Sequence, residues 1–402
     1  MTQLSLYHRD RHRGPYEADD RDRVPAPGLS AERTASQETG ECGLDRILKV
    51  GARPLLRSGA TVSVVIPNYN YARYLPDAIH SALSQPNVSV EIIIVDDAST
   101  DNSVEVARKL AGGDERIRIL VHGENTGPVE TFNDGLAEAR GEFLVRLDAD
   151  DILTPGSLER SVAVAQHFPT VGIVYGHPLH FSGTVRRAAR TKPTTWTIWP
   201  GRTWLADRCR DGSNVITSPE VLMRKSLVDI VGGQQQLAHT HDMEMWLRLS
   251  AFADVAYIHG VDQAWHREHA DSLSARKVDR IRDMSERRDA FITLFEGKAG
   301  KLMEADKLHR SAMRAIASHA LEEALYAYIR GPQNRDLIDR YLLLAKSAVG
   351  DVDTLPEWHA VHKWMERHPR SVALHPVFVV RRAYRRLRHI LSWRRWHRSG
   401  VY

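Results

Sequence analysis

Three carboxylates, Asp148, Asp150 and Asp151, stand within four residues where the strand-like run Gly141-Glu-Phe-Leu-Val-Arg-Leu147 ends. Like charges held so close repel one another, so the cluster implies a cation or a ring of hydrogen-bond donors. Asp148 and Asp150, one residue apart on an extended segment, point the same way. Their hard oxygens suit Mg2+ or Mn2+ that keeps water and phosphate oxygens as its other ligands. The same stretch also reads as an acidic turn before a helix, with Thr154 as N-cap and Pro155 as the first helical residue. A second acidic pair, Asp96 and Asp97, closes the run Val90-Glu-Ile-Ile-Ile-Val95. A further carboxylate, Asp242, opens the helical stretch Met243-Glu-Met-Trp-Leu-Arg-Leu249, where it also reads as a cap.

Those groups need elements to hold them. Short β-rich runs at 62–66, 90–95, 117–121, 143–145 and 171–174 alternate with segments of helical spacing. Leu75, Ala78, Ile79, Ala82 and Leu83 mark the first helix; Val104, Ala107 and Leu110 the second; Phe132, Leu136 and Ala139 the third. Strands this continuously apolar are covered on both faces, so the pattern predicts an α/β fold with a doubly wound, mostly parallel sheet. In such sheets ligands collect at the carboxyl ends of strands, where Asp96, Asp97, Asp148 and Asp150 fall.

The chain of 402 residues is 42% hydrophobic and 26% charged, a balance that predicts a soluble globular protein with one large domain and appendages. Cys42 and Cys209 offer neither a disulfide framework nor a zinc-site spacing, as expected in a reducing compartment. No basic start followed by an apolar segment and no run of about 18 apolar residues occurs, so a cytoplasmic location is expected. Residues 1–60 mix Arg, Asp, Pro, Gly and Ser without periodicity and read as a disordered extension. Residues 61–275 form the sheet domain, 276–350 a helical subdomain, and 351–402 a linker and tail. Between 177 and 218 the segment is expected to build pocket walls, with Trp196, Trp199 and Trp204 hinting at stacking on sugar or lipid faces.

Residues 367–402 hold ten arginines and no lysine or acidic residue; set against the chain's net +4, this leaves −6 for residues 1–366. The basic character belongs to the tail, so nucleic-acid binding is not expected of the body. Within the tail Val380, Tyr384, Leu387 and Leu391 share one helical stripe ringed by arginines. Such a basic amphipathic helix over 376–398 suits an anionic membrane surface, at the inner face of the membrane; the other reading docks the stripe on the helical subdomain.

Six segments follow one another in a telling order: Val64-Val-Ile-Pro-Asn-Tyr-Asn70, Ile94-Val-Asp-Asp-Ala-Ser-Thr-Asp101, Asn125-Thr-Gly127, Asp148-Ala-Asp-Asp151, His241-Asp242 and Arg267-Glu-His-Ala-Asp-Ser-Leu-Ser274. In this order the chain resembles family 2 glycosyltransferases of the GT-A fold, over roughly residues 61–275. The resemblance implies an inverting, metal-dependent, non-processive transfer of one sugar from a nucleotide-diphospho-sugar, such as a UDP-sugar, to a saccharide or lipid-linked acceptor. It implies that Asp97 contacts the base, Pro67 contributes its backbone and Tyr69 stacks on the ring. Asp148 would lie near ribose and metal, Asp150 would bind Mn2+ or Mg2+, and His269 would close over the diphosphate and complete the metal shell. Asp242 would be the general base, although His241 stands where the family commonly has Glu.

Neither Gly-x-Gly-x-x-Gly after the first strand nor a P-loop occurs, which argues against a dehydrogenase and an NTPase. The Gln-x-x-Arg-Trp motif of processive family 2 synthases is missing as well. The remaining alternatives are a sugar-phosphate nucleotidyltransferase, which would want a Gly-rich phosphate loop after the first strand, and a catalytically silent nucleotide-sugar-binding or membrane-associated protein.

Overall fold

Alternate residues of the central strands feed two different cores. Val65, Ile93, Val95 and Leu144 point into one, and Val64, Ile66, Ile92, Ile94 and Val145 into the other, all essentially without exposure. Burying each such side chain contributes about 1.5–3 kcal/mol, so a sheet layered on both sides is the stable arrangement of this sequence. The computed structural model describes residues 43–184, 186–269, 272 and 279–399.

The chain runs β1 (Leu48–Gly51), β2 (Ala60–Asn68), α1 (Leu75–Leu83), β3 (Val88–Asp96), α2 (Ser103–Ala111), β4 (Ile117–Val121), α3 (Pro128–Glu138), β5 (Phe143–Arg146), β6 (Ile152–Leu153), α4 (Ser157–His167) and β7 (Val171–Phe181). It continues through β8 (Thr195–Trp199), α5 (Gly201–Asp211), a 3-10 turn (Ser218–Glu220), β9 (Leu222–Arg224), α6 (Lys225–Val231), α7 (His241–Ser250) and β10 (Asp254–Arg267). The strand order is β1-β8-β10-β7-β9-β5-β2-β3-β4, with β6 paired to β10. Strands β5, β2, β3 and β4 form a parallel unit, as the alternation predicts. The short antiparallel β9 joins that unit to β7, which runs parallel to β10. Helix α3 lies close on the sheet because Gly135 carries no side chain: a Cβ there would stand 2.4 Å from Val65 Cγ1.

Three local expectations change. Residues 48–51, inside the stretch read as a disordered extension, form β1, because Leu48 to Gly51 pair antiparallel with Ile198 to Thr195 and thereby satisfy their backbone groups; residues 1–42 lie outside the described residues. Helix α4 starts at Ser157 rather than at Pro155, and the Thr154 hydroxyl donates to the Asp262 carbonyl at 2.6 Å instead of capping it. Trp196, Trp199 and Trp204 are no stacking platform: they are 1%, 9% and 4% exposed, taken up by the two cores.

Beyond β10 come α8 (Arg280–Glu296), α9 (Ala305–Ile329), α10 (Arg335–Ala348), α11 (Pro356–Met365), α12 (Pro369–Leu374) and α13 (Pro376–Ser399). Phe291, Leu294, Leu308, Ala312 and Met313 of α8 and α9 share one core with Trp204 and Trp246, so these helices are continuous with the sheet domain. Thr240, at the start of α7, donates through Oγ1 to the Glu286 carbonyl of α8 at 2.9 Å, which fixes that helix end.

Candidate active site

The loops at the carboxyl ends of β2 and β3 are tied to each other. Asn68 and Asp96 are register partners, and Asn68 Nδ2 donates to Asp96 Oδ2 at 2.7 Å. Asp96 also accepts from Ser99 N and Ser99 Oγ, at 2.9 and 2.7 Å, so it is spent on the turn. Asn70 Oδ1 accepts from Thr100 N at 2.7 Å, joining the two turns. Between them Ala98 adopts φ +57°, a left-handed conformation that costs a residue with a Cβ about 1–2 kcal/mol. Tyr69 stands on this edge 46% exposed, and Pro67 is half-buried beside it.

Asp97 faces the next loop. Its Oδ1 accepts from Thr126 N and Thr126 Oγ1 at 2.8 and 3.0 Å and lies 2.9 Å from His122 Nδ1, while Oδ2 accepts from Gly127 N at 2.9 Å. Burial opposes the charge, yet these bonds together hold the carboxyl below its usual value. Asp97 therefore fastens loop 122–127 to β3, and Oδ2, with one donor, retains a lone pair for another.

The cluster after β5 is shared out among four partner residues. Asp148 Oδ1 takes Arg146 at 2.9 Å, Asp150 Oδ2 takes His269 Nε2 at 2.8 Å, and Asp151 takes His266 Nδ1 at 3.0 Å and Arg267 N at 2.8 Å. Asp151 is thus a buried brace to β10. Burial disfavours a charge on His266, but Asp151, followed by Asp150 and Asp148, overcomes that and raises its pKa to about 10. Asp148 keeps 32% of its side-chain exposure, yet protein surrounds it enough for burial to raise its carboxyl. Arg146 opposes that rise, and the charges of Asp150 and Asp242 add to it.

Asp242 sits in the first turn of α7, where its Oδ1 accepts from Met243 N at 2.6 Å and its Oδ2 from Ser218 Oγ at 2.7 Å. It is both a helix-end residue and part of the acidic mouth. Ser218 opens a 3-10 turn closed by a capping box, in which Glu220 Oε1 accepts from Thr217 N at 3.0 Å. Glu220 is 3% exposed, burial raises its carboxyl well above the usual range, and Oε2 finds no partner among the described residues. His241 is buried behind Arg146, whose Nη1 donates to its Nε2 at 3.2 Å. Burial, and then Arg146, pushes its pKa down to about 4. Arg146 therefore bridges a neutral ring and Asp148.

Asp148, Asp150, Asp242 and His266 thus interact at one mouth, with His269 bonded to Asp150, while Pro67, Tyr69 and Asp97 lie along the adjoining strand ends. His269 links the groups, its ring 5.6 Å from that of Tyr71 and 5.1 Å from that of Tyr74 on the turn after β2. Among the described residues no three His, Cys, Asp or Glu side chains make a ready cage for a metal. Carboxylates at 148, 150, 151 and 242 nevertheless outnumber the cations Arg146 and His266, a surplus suited to a divalent ion completed by water and phosphate oxygens. Sequence reasoning missed Arg146, Ser218 and His266. A charge inside an apolar strand was a visible signal for Arg146; Ser218, in a loop without periodicity, gave none.

The layered sheet is that of a GT-A-type glycosyltransferase domain. Residues 63–230 match the family described as glycosyl transferase family 2. EpsE of Bacillus subtilis, named as a glycosyltransferase, is 30% identical over 197 residues, which cover 48% of this chain and 68% of EpsE. An uncharacterized glycosyltransferase of Nostoc is 45% identical over 115 residues, 28% of this chain and 35% of that one. The chain thus spans only about a third of the Nostoc relative. Staphylococcus aureus TarS residues 1–349, solved with UDP-GlcNAc, superposes with a TM-score of 0.51 at 15% identity, over 75% of this chain and 90% of that one; it shows the shared GT-A fold. The chain belongs to glycosyl transferase family 2.

Proposed function

We propose that the chain is a metal-dependent, inverting glycosyltransferase that moves one sugar per encounter from a nucleotide-diphospho-sugar to a hydroxyl of a saccharide or lipid-linked acceptor. The observation that carries this proposal is the interaction of Asp148 and Asp150, in the loop after β5, with Asp242 of α7, at the sheet edge that also bears Tyr69 and Asp97. Tyr69 stacks on the base through its exposed ring. Asp97 Oδ2 accepts an imide N–H, which favours uracil and so a UDP-sugar, and Pro67 lines the base with its backbone.

Asp148, Asp150 and His269 would hold Mn2+ or Mg2+, which neutralises charge growing on the leaving diphosphate. Asp242, aligned by Ser218 and Met243 N, takes the acceptor's proton. The acceptor oxygen bonds to the anomeric carbon from the face opposite the diphosphate. The bond from that carbon to the diphosphate oxygen breaks, its electron pair leaves with the nucleoside diphosphate, and the configuration inverts. His241 keeps Arg146 beside Asp148 without adding charge. The transfer is proposed to occur on the cytoplasmic side, at the inner face of the membrane.

A thermal-shift screen of nucleoside diphosphates and their sugars, with and without Mn2+, tests the donor side. Stabilisation by UDP-sugars that depends on the ion is expected; an equal shift with every nucleotide, independent of metal, would refute it.

A further inference from the structure

Helix α13 has two distinct faces. Phe378, 2% exposed, meets Trp364 edge-on with ring centroids 4.7 Å apart. Arg381 pairs with Glu322 at 3.5 Å, and Arg385 pairs with Glu323 and lies 4.2 Å over the Tyr326 ring. This face fastens the helix to α9 and α11. The apolar stripe therefore does not dock on the helical subdomain. Val377, Val380, Tyr384, Leu387 and Leu391 are each 54–66% exposed, and at 100° per residue they centre roughly 100° around the helix from the docked face.

A stripe of five large apolar side chains in water is costly unless something covers it, since each contributes about 1.5–3 kcal/mol when buried. Charge says what the cover is. The whole segment 367–402 carries ten arginines and no acidic residue, and Arg382, Arg386 and Arg394 lie outside the two ion pairs to α9. A protein surface able to match both would have to be apolar along one line and acidic on both flanks. A bilayer of anionic lipid offers that pattern everywhere: acyl chains beneath, phosphate headgroups at the rim. Among the described residues no helix is long and apolar enough to cross a membrane, so the contact lies in the interface plane. The helix also packs against β10, whose carboxyl end carries His266 and Arg267.

We infer that α13 is an interfacial anchor that lays its apolar stripe into an anionic lipid surface and holds the transferase mouth at that surface. Binding itself does not depend on the proposed reaction; only its purpose, presenting a membrane-borne acceptor, rests on the transferase reading.

Co-sedimentation of the full chain with vesicles tests it. Vesicles of phosphatidylglycerol and phosphatidylcholine in equal parts should pull the protein down, and pure phosphatidylcholine vesicles should not. The double variant Val380→Asp/Leu387→Asp, altering only exposed side chains, should bind at least tenfold more weakly, as should Arg386→Glu/Arg394→Glu. Both should keep the thermal midpoint and the donor-induced shift of the parent, so loss of lipid binding and failure of the transferase proposal remain separate results. Equal sedimentation of parent and stripe variant would overturn the inference. So would duplex RNA binding without vesicle binding, or a dimer that Val380→Asp/Leu387→Asp dissociates while vesicles are ignored.

Discussion

Ser218 and Asp242 are 24 residues apart in the chain, yet Ser218 Oγ donates to Asp242 Oδ2 at 2.7 Å. With Met243 N on Oδ1, the carboxylate is held at both oxygens before any acceptor arrives. Fixed in this way, the proposed base gives up little rotational freedom when an acceptor binds. Asp242→Asn is expected to keep donor binding and abolish transfer. Ser218→Ala should lower the transfer rate about 10–100-fold, the loss of one hydrogen bond to a charged group, with donor affinity unchanged. Steady-state rates beside donor titration check the pair, and ordinary turnover in Asp242→Asn would show that the base is another group.

The acidic mouth should depend on an ion. Asp150→Ala removes the carboxylate bonded to His269, and the Mn2+-dependent part of the donor-induced thermal shift should vanish. Chelation of the parent protein should give the same loss, reversed by added Mn2+. A full donor response in chelator would remove the metal from the proposal.

Tyr69 and Asp97 should separate binding from stability. Tyr69 is 46% exposed, so Tyr69→Ala should leave the thermal midpoint alone and weaken donor binding by about 1–3 kcal/mol, the worth of one stacked base. Asp97 holds loop 122–127 through Thr126 and Gly127. Asp97→Asn should therefore lose stability as well, by about 1.5–3 kcal/mol. Denaturation with and without UDP measures both; an Asp97→Asn protein as stable as the parent would assign this carboxylate to the ligand alone.

Asp262 gives a pH test away from the mouth. It is 1% exposed and accepts from Arg190 N at 2.8 Å, with His177 Nδ1 at 2.9 Å and Arg190 Nη2 at 2.6 Å. Burial opposes its charge, but the bonds from His177 and Arg190 hold the carboxyl far below its ordinary value. Because the folded state binds its proton less readily than the unfolded one, its contribution is whole above about pH 4 and is lost as pH falls below that. Asp262→Asn should cost about 3–5 kcal/mol at neutral pH and flatten the acid limb of a stability profile. An acid limb as steep as the parent's would disprove it.

How much was legible in the sequence follows from the range of each interaction. The runs at 62–66 and 90–95 are apolar enough to show that both faces are buried, and the carboxylates after 95 and 147 mark the ligand edge, because strand periodicity and turn chemistry act over a few residues. The apolar stripe of the tail, Val380 to Leu391, was visible for the same reason. Asp151 and Trp196 were not: whether a carboxylate braces β10 or a tryptophan fills a core depends on which distant strand lies beside it, and the pairing of β10 with β6, β7 and β8 is written in no local pattern.

By itself, then, the sequence determined the layered α/β sheet, the acidic groups at its edge and the amphipathic tail, all set by short-range spacing. The tertiary structure decided that Arg146 stands between His241 and Asp148, that Ser218 aligns Asp242, and that the tail's stripe faces outward. Those relations join residues 24 to 95 positions apart, and only the packing of distant segments into one body brings them within hydrogen-bonding reach.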